Sequence, residues 1–103
     1  MTTGLNDALV STLADDPDLG EIVRLYTAEM PDRIAALQAS FDSGDRARLA
    51  TLAHQMKGAA GSHGFHAITP YAAALERLSR SASRDDELRQ AFEALVEICS
   101  RVR

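Results

Sequence analysis

His54 is followed three and four positions later by Lys57 and Gly58, and then by Ala59, Ala60 and Gly61. Residues three and four apart share one face of a helix. The spacing therefore sets an ammonium and a glycine one turn from an imidazole. A neutral imidazole keeps one lone-pair nitrogen near pH 7, so an accessible histidine is a competent nucleophile. An ammonium beside it could meet phosphoryl oxygens, and small residues would leave the ring open to a bulky partner. Turning each residue through about 100° from His54 puts Leu52, Met56, Ala59 and His63 within about 40° of the opposite direction, with Leu49 and Ala60 at the edges. That is the predicted buried stripe, and His54 points away from it. Ala47, Ala50, Thr51, Lys57, Gly58 and Gly61 lie within about 60° of His54. Glycine inside a helix costs about 1 kcal/mol relative to alanine, so Gly58 and Gly61 require a compensating reason. Geometry alone leaves two readings: a reactive histidine, or an ordinary exposed one beside a helix-packing groove.

The elements that must position these residues are helical throughout. Helical periodicity dominates and alternating strand patterns are absent. A short amphipathic helix over residues 5–13 leads in. Asp15, Asp16, Pro17 and Asp18 read as a helix start, with acids at the positive end of the dipole. The helix that follows runs over about residues 17–41, with apolar positions Leu19, Ile22, Val23, Leu25, Tyr26, Met30, Ile34, Leu37 and Phe41. Pro31 removes one backbone donor within it, which predicts a kink or a break. Ser43, Gly44 and Asp45 form a turn ending in an N-cap, and the histidine helix continues to about Ser62. His63 and Gly64 close it. A third helix spans about residues 66–81, with Thr69 and Pro70 as cap and first-turn pair if it starts late. Ser83 caps the last helix, whose stripe is Leu88, Phe92, Leu95, Ile98, Cys99 and Val102. Short connections imply antiparallel neighbours. The predicted fold is all-α: an antiparallel up-down-up-down four-helix bundle with a short N-terminal lead-in helix.

Length and composition agree with one domain over residues 1–103. The chain has 46% hydrophobic and 25% charged residues and no tryptophan. It is long enough to bury roughly 60–65% of its unfolded surface around one core, too short to enclose a large substrate cavity as well. The net charge of -4 argues against nucleic-acid binding, which needs a basic footprint. Residues 1–45 hold nine Asp/Glu against two Arg, and residues 46–103 hold six Asp/Glu against nine Lys/Arg. The later helices therefore carry the face suited to an acidic partner. No apolar run approaches the roughly 18 residues of a membrane span. The N-terminus lacks the basic region of a signal peptide. The single cysteine, Cys99, permits no internal disulfide and reads as a buried structural thiol. Together these features predict a cytoplasmic protein.

The stretch from Ala53 to Phe65 resembles the signature of histidine-containing phosphotransfer (HPt) domains. That pattern is H-x-[hydrophobic]-K-G, followed by small residues and a second glycine ten positions after the histidine. Here these are His54, Met56, Lys57, Gly58 and Gly64. Tyr26, Met30-Pro31, Leu37, Phe41 and Gly44-Asp45 upstream, and Leu75-Glu76 downstream, are similar to the family's flanking pattern. The resemblance extends over about residues 18–100. It implies a phosphorelay intermediate, a phosphocarrier rather than an enzyme. His54 would take a phosphoryl group from a receiver-domain aspartyl phosphate and pass it to another receiver. By matching position, Lys57 would balance phosphoryl charge and Gly58 would clear space for the aspartate loop. Ala50, Thr51, Gly58, Gly61 and Arg46 are the partner-binding candidates, with Arg46 steering an acidic receiver. Glu76 is either an orienting group for the other ring nitrogen or an ordinary exposed helix glutamate. No cofactor is implied on this chain, since the receiver carries the Mg2+.

Partners follow from the same resemblance: response-regulator receiver domains, and a hybrid or chemotaxis-type histidine kinase. Nucleic acid and membrane are excluded, and the motif works as a monomer. Two alternatives remain open at this stage. The chain could be the phosphoacceptor domain of a chemotaxis-type kinase, or a helical scaffold whose histidine is never phosphorylated. The Met1 start and the lack of a linker favour a freestanding protein. His63 falls on the buried side near a helix end and should bond a carbonyl or cap the helix. His63 and His66, three apart, nominate a metal site without a supporting Cys or carboxylate.

Overall fold

The computed structural model describes residues 7–103. Its four α-helices are α1 (Gly20–Asp42), α2 (Arg46–Ser62), α3 (Thr69–Arg80) and α4 (Asp85–Cys99), with a 3-10 turn at His66–Ile68 before α3. There is no strand among the described residues, only an isolated parallel bridge between Leu9 and Val102. Helix α2 packs on both α1 and α3, α3 packs on α4, and α4 returns to α1. The core is built from Val23, Tyr26, Met30 and Leu37 of α1, Leu49, Ala53, Met56 and Ala60 of α2, Ala72 and Leu75 of α3, and Leu88, Phe92, Leu95 and Cys99 of α4.

Both ends of α2 are determined locally. Gly44 has φ +72°, and the amides of Gly44 and Asp45 close α1 on the carbonyls of Phe41 and Ser40. The Asp45 side chain then accepts from the Arg48 amide at 3.0 Å, satisfying one of the unpaired donors that start α2. At the other end Gly64 takes φ +83°, and the amides of Gly64 and Phe65 bond the carbonyls of Gly61 and Ala60. This is the Schellman closure, which favours glycine because a left-handed residue carries a Cβ penalty. Phe65, fully buried, anchors the reversal into the core.

Four expectations are corrected. The lead-in helix is not found over residues 7–13, where the chain forms turns and the Leu9–Val102 bridge; residues 5 and 6 lie outside the described residues. The reason is long-range pairing. The Leu9 amide bonds the Arg101 carbonyl at 2.7 Å, and the Thr12 amide bonds the Gly64 carbonyl at 3.0 Å. Helix α1 starts at Gly20, not near Pro17, because the Asp16 carboxylate accepts from the amides of Asp18 and Leu19 and holds a turn there. Its apolar positions Leu19, Ile22 and Leu25 are exposed (Ile22 50%, Leu25 59%), since Val23 and Tyr26 face the core instead. Ser83 does not cap α4. Arg84 is the N-cap residue and its amide is bonded by Glu87, whereas the Ser83 hydroxyl donates to the Leu78 carbonyl at 2.7 Å. Pro31 lies inside α1 without breaking it.

Candidate functional site

The site lies where α2 and α3 meet. Arg46 at the start of α2 bonds the carbonyls of Leu78 in the last turn of α3 and of Ser81 just after it. Thr69 at the start of α3 donates to the Lys57 carbonyl at 3.5 Å. The pairing brings His54 opposite Glu76. The two helices approach closely because the contacting residues are small: Ala50, Ala53 and Ala60 are almost fully buried. A Cβ on Gly61 would stand 3.4 Å from Thr69 Oγ1, so this glycine faces the start of α3.

His54 itself is exposed, with 61% of its side chain accessible. Its Nδ1 lies 3.0 Å from Glu76 Oε2. Lys57 Nζ donates to the other oxygen, Oε1, at 2.8 Å, and Arg80 Nε donates to Oε2 at 3.3 Å. Glu76 is only 15% exposed. The hydrogen bond from Lys57 is the main cause holding its carboxyl down at about pKa 2; partial burial opposes this, while the His54 hydrogen bond and the nearby charges add to it. Glu76 is thus an ionised acceptor at neutral pH, and the ring nitrogen facing it must carry the proton. In the neutral ring the lone pair then belongs to Nε2.

Gly58, one turn beyond His54, differs from the other glycines of this region. A Cβ there would meet nothing within 4 Å, so the fold gives no internal reason for a glycine. Gly64 is the opposite case: beyond its positive φ, a Cβ would collide with Ser11 Oγ and stand 2.9 Å from Thr12 Oγ1. Gly61 is half-buried against α3, so Gly58 is the exposed one of the three.

Two partner-binding candidates are corrected. Ala50 is 1% exposed and belongs to the α2–α3 contact. The wheel set the buried stripe directly opposite His54; the close approach of α3 turns the buried arc towards Ala50, Ala53 and Ala60, and leaves Leu52, Ala59 and His63 half-buried. Arg46 is not a free steering charge. Its guanidinium bonds the carbonyls of Leu78, Ser81 and Ser83, the Ser83 hydroxyl and Asp85, clamping the α3–α4 loop. Thr51 is exposed, with its hydroxyl donating to the Ala47 carbonyl.

His63 behaves as its position predicts. Its Nδ1 bonds the Ala59 carbonyl at 2.6 Å, and its ring stacks on Tyr26 with centroids 4.3 Å apart. Cys99 is buried, and burial pushes its thiol up to about pKa 12. Among the described residues, no three His, Cys, Asp or Glu side chains gather into a metal-binding group. Arg80 joins the site through its bond to Glu76. Its only signal in the sequence is the four-residue spacing from Glu76 on a helix.

The family model of the Hpt domain matches residues 21–103. The chain belongs to the Hpt domain family. Comparison with curated proteins and with solved structures gave no match. Hpt domains serve histidine phosphotransfer in phosphorelay signalling, as phosphocarriers that interact with receiver domains and kinases of two-component systems. The four helices and the His54 signature of this Hpt domain both fall inside the matched span, apart from the single residue Gly20 at the start of α1. No helix among its described residues is long and apolar enough to cross a membrane.

Proposed function

We propose that this Hpt domain accepts a phosphoryl group on His54 Nε2 from a receiver-domain aspartyl phosphate and passes it to a second receiver aspartate. The observation that carries this reading is the His54–Glu76 pair: an ionised carboxylate on Nδ1 leaves Nε2 as the nucleophile at an exposed position. In the transfer, the Nε2 lone pair attacks phosphorus. The P–N bond forms, the bond to the aspartyl oxygen breaks, and the receiver's aspartate leaves as a carboxylate. Nδ1 keeps its proton, and Glu76 offsets the positive charge that develops on the ring. The second transfer is the same exchange in reverse. Lys57 balances charge on the phosphoryl oxygens, while Gly58 and Thr51 border the approach of the aspartate loop.

The Mg2+ that assists acyl phosphate chemistry belongs to the receiver. In this reading the domain is a cytoplasmic monomer without a catalytic centre of its own, and its helices form an antiparallel up-down bundle, supported by the short connections and the packing of successive helices.

The test is to incubate the protein with a panel of phosphorylated receivers and follow acid-labile, base-stable label, with His54→Gln as control. Label on the wild type alone is the expected result. Label from a kinase but from no receiver would make it a kinase phosphoacceptor domain. Absence of label from either source, with the fold intact, would leave a scaffold.

A further inference from the structure

Lys57 and Arg80 reach the same carboxylate that His54 faces, one on each of its oxygens. Lys57 follows His54 by one turn on α2 and bonds Glu76 Oε1. Arg80 stands in the last turn of α3, beyond Glu76 and towards the end where Arg46 of α2 is fastened, and bonds Oε2. Only the Nε of Arg80 has a partner among the described residues, and the side chain is 55% exposed. Its terminal N–H groups are therefore unpaired among the described residues, on a side chain that shares the Glu76 Oε2 acceptor with His54 Nδ1. The charge balance gives that edge a purpose. Glu76 cancels one positive charge, so Lys57 and Glu76 together present no net charge to an incoming group. A phosphoryl group brings roughly two negative charges. Among the groups bonded into this cluster, Arg80 is the source of net positive charge. A guanidinium also offers a planar pair of donors suited to two phosphoryl oxygens, which an ammonium does not.

We infer that Arg80 is a second phosphoryl-contacting residue, which meets the group as it moves between the receiver aspartate and His54 Nε2. The inference rests on His54 as phosphoacceptor. Lys57 and Arg80 flank the transferred phosphorus, and Glu76 holds both cations in place while the site is empty. The charged groups bonded in the cluster come from α2 (Lys57) and α3 (Glu76 and Arg80); no charge of α1 or α4 bonds into it.

The experiment compares wild type, Arg80→Ala, Arg80→Lys and Arg77→Ala in single-turnover transfer from a receiver domain loaded with acetyl phosphate. Arg77 is exposed on the same helix and controls for general attraction of an acidic partner. Arg80→Ala should slow transfer by about tenfold, the loss of one charge-assisted contact, with Arg80→Lys intermediate. Arg77→Ala should stay within about twofold, as expected of a screened surface charge. Nitrogen-15 spectra of His54 should show the Nδ1–H form in both wild type and Arg80→Ala. Wild-type transfer in Arg80→Ala, or equal slowing in Arg77→Ala, would overturn the contact. Loss of the Nδ1–H form in Arg80→Ala would also overturn it and make Arg80 an orienting group. If the wild type takes no label from any receiver, the phosphoacceptor reading fails first and this inference fails with it.

Discussion

His54 Nδ1 and Glu76 Oε2 stand 3.0 Å apart across two helices, on side chains of very different exposure. The half-buried partner is the anion and the exposed partner is the ring. This arrangement makes Glu76 a fixed acceptor and leaves Nε2 with the lone pair of the neutral ring, the position proposed to react. Replacing Glu76 by Gln removes the charge and lets an amide N–H face the ring, so the Nδ1–H form is no longer enforced. Transfer should slow by about tenfold, on the order of the loss of one charged hydrogen bond. The nitrogen-15 spectrum of His54 should contain both neutral tautomers. A single unchanged tautomer would contradict the orienting role.

The same carboxylate gives a pH prediction. Its pKa falls from an ordinary 4.5 to about 2 on folding, mainly through the Lys57 hydrogen bond. A depressed folded pKa contributes stability that is fully present above the unfolded value and is lost as pH falls through the folded one. The stability difference between wild type and Glu76→Gln should therefore be constant above about pH 5, shrink below it and level off only below about pH 2. Urea unfolding at stepped pH measures it. A difference that persists undiminished at pH 2 would rule out this linkage.

Gly58 separates folding from docking. A Cβ there meets nothing within the molecule, so Gly58→Ala should stabilise the protein by about 0.5–1 kcal/mol through helix propensity. Gly58→Glu should remain folded but block transfer by filling the approach to His54. Thermal unfolding and transfer assays read the two effects. If Gly58→Glu transfers at the wild-type rate, the docking face has been misplaced.

Gly64→Ala should do the reverse. It places a Cβ at φ +83° and against Ser11 Oγ, so about 2 kcal/mol or more of stability should be lost. The fall in the urea midpoint should exceed any change at Gly58 by a wide margin. A Gly64→Ala variant as stable as wild type would mean that residues 11–13 do not pack there in solution.

Arg46→Ala is expected to cost about 1–2 kcal/mol by releasing the carbonyls of the α3–α4 loop. Transfer rates should be unchanged, because the guanidinium is engaged away from His54. A slowed transfer with unaltered stability would restore the steering role instead.

The sequence by itself determined the four helices, their order, the turn chemistry at Gly44–Asp45 and Gly64, and the placing of His54, Lys57 and Gly58 together on the second of them. These are legible because helical periodicity, caps and left-handed glycines are local properties: each is decided within about five residues of chain. The burial of Cys99 and the carbonyl bond of His63 were legible for the same reason, from the stripe and the helix end on which they lie. What only the tertiary structure decided is how far α2 is turned about its axis. A wheel drawn on one helix has no knowledge of where α3 will press, so Ala50 read as open and is buried. Arg46 read as a free charge until the α3–α4 loop supplied its acceptors. Residues 7–13 read as amphipathic helix until the backbones at Gly64 and Arg101 offered partners far along the chain. Glu76 and Arg80 became part of the site for the same physical reason. Two helices distant in sequence close on one another, and a carboxylate 22 positions from His54 becomes its nearest hydrogen-bond partner.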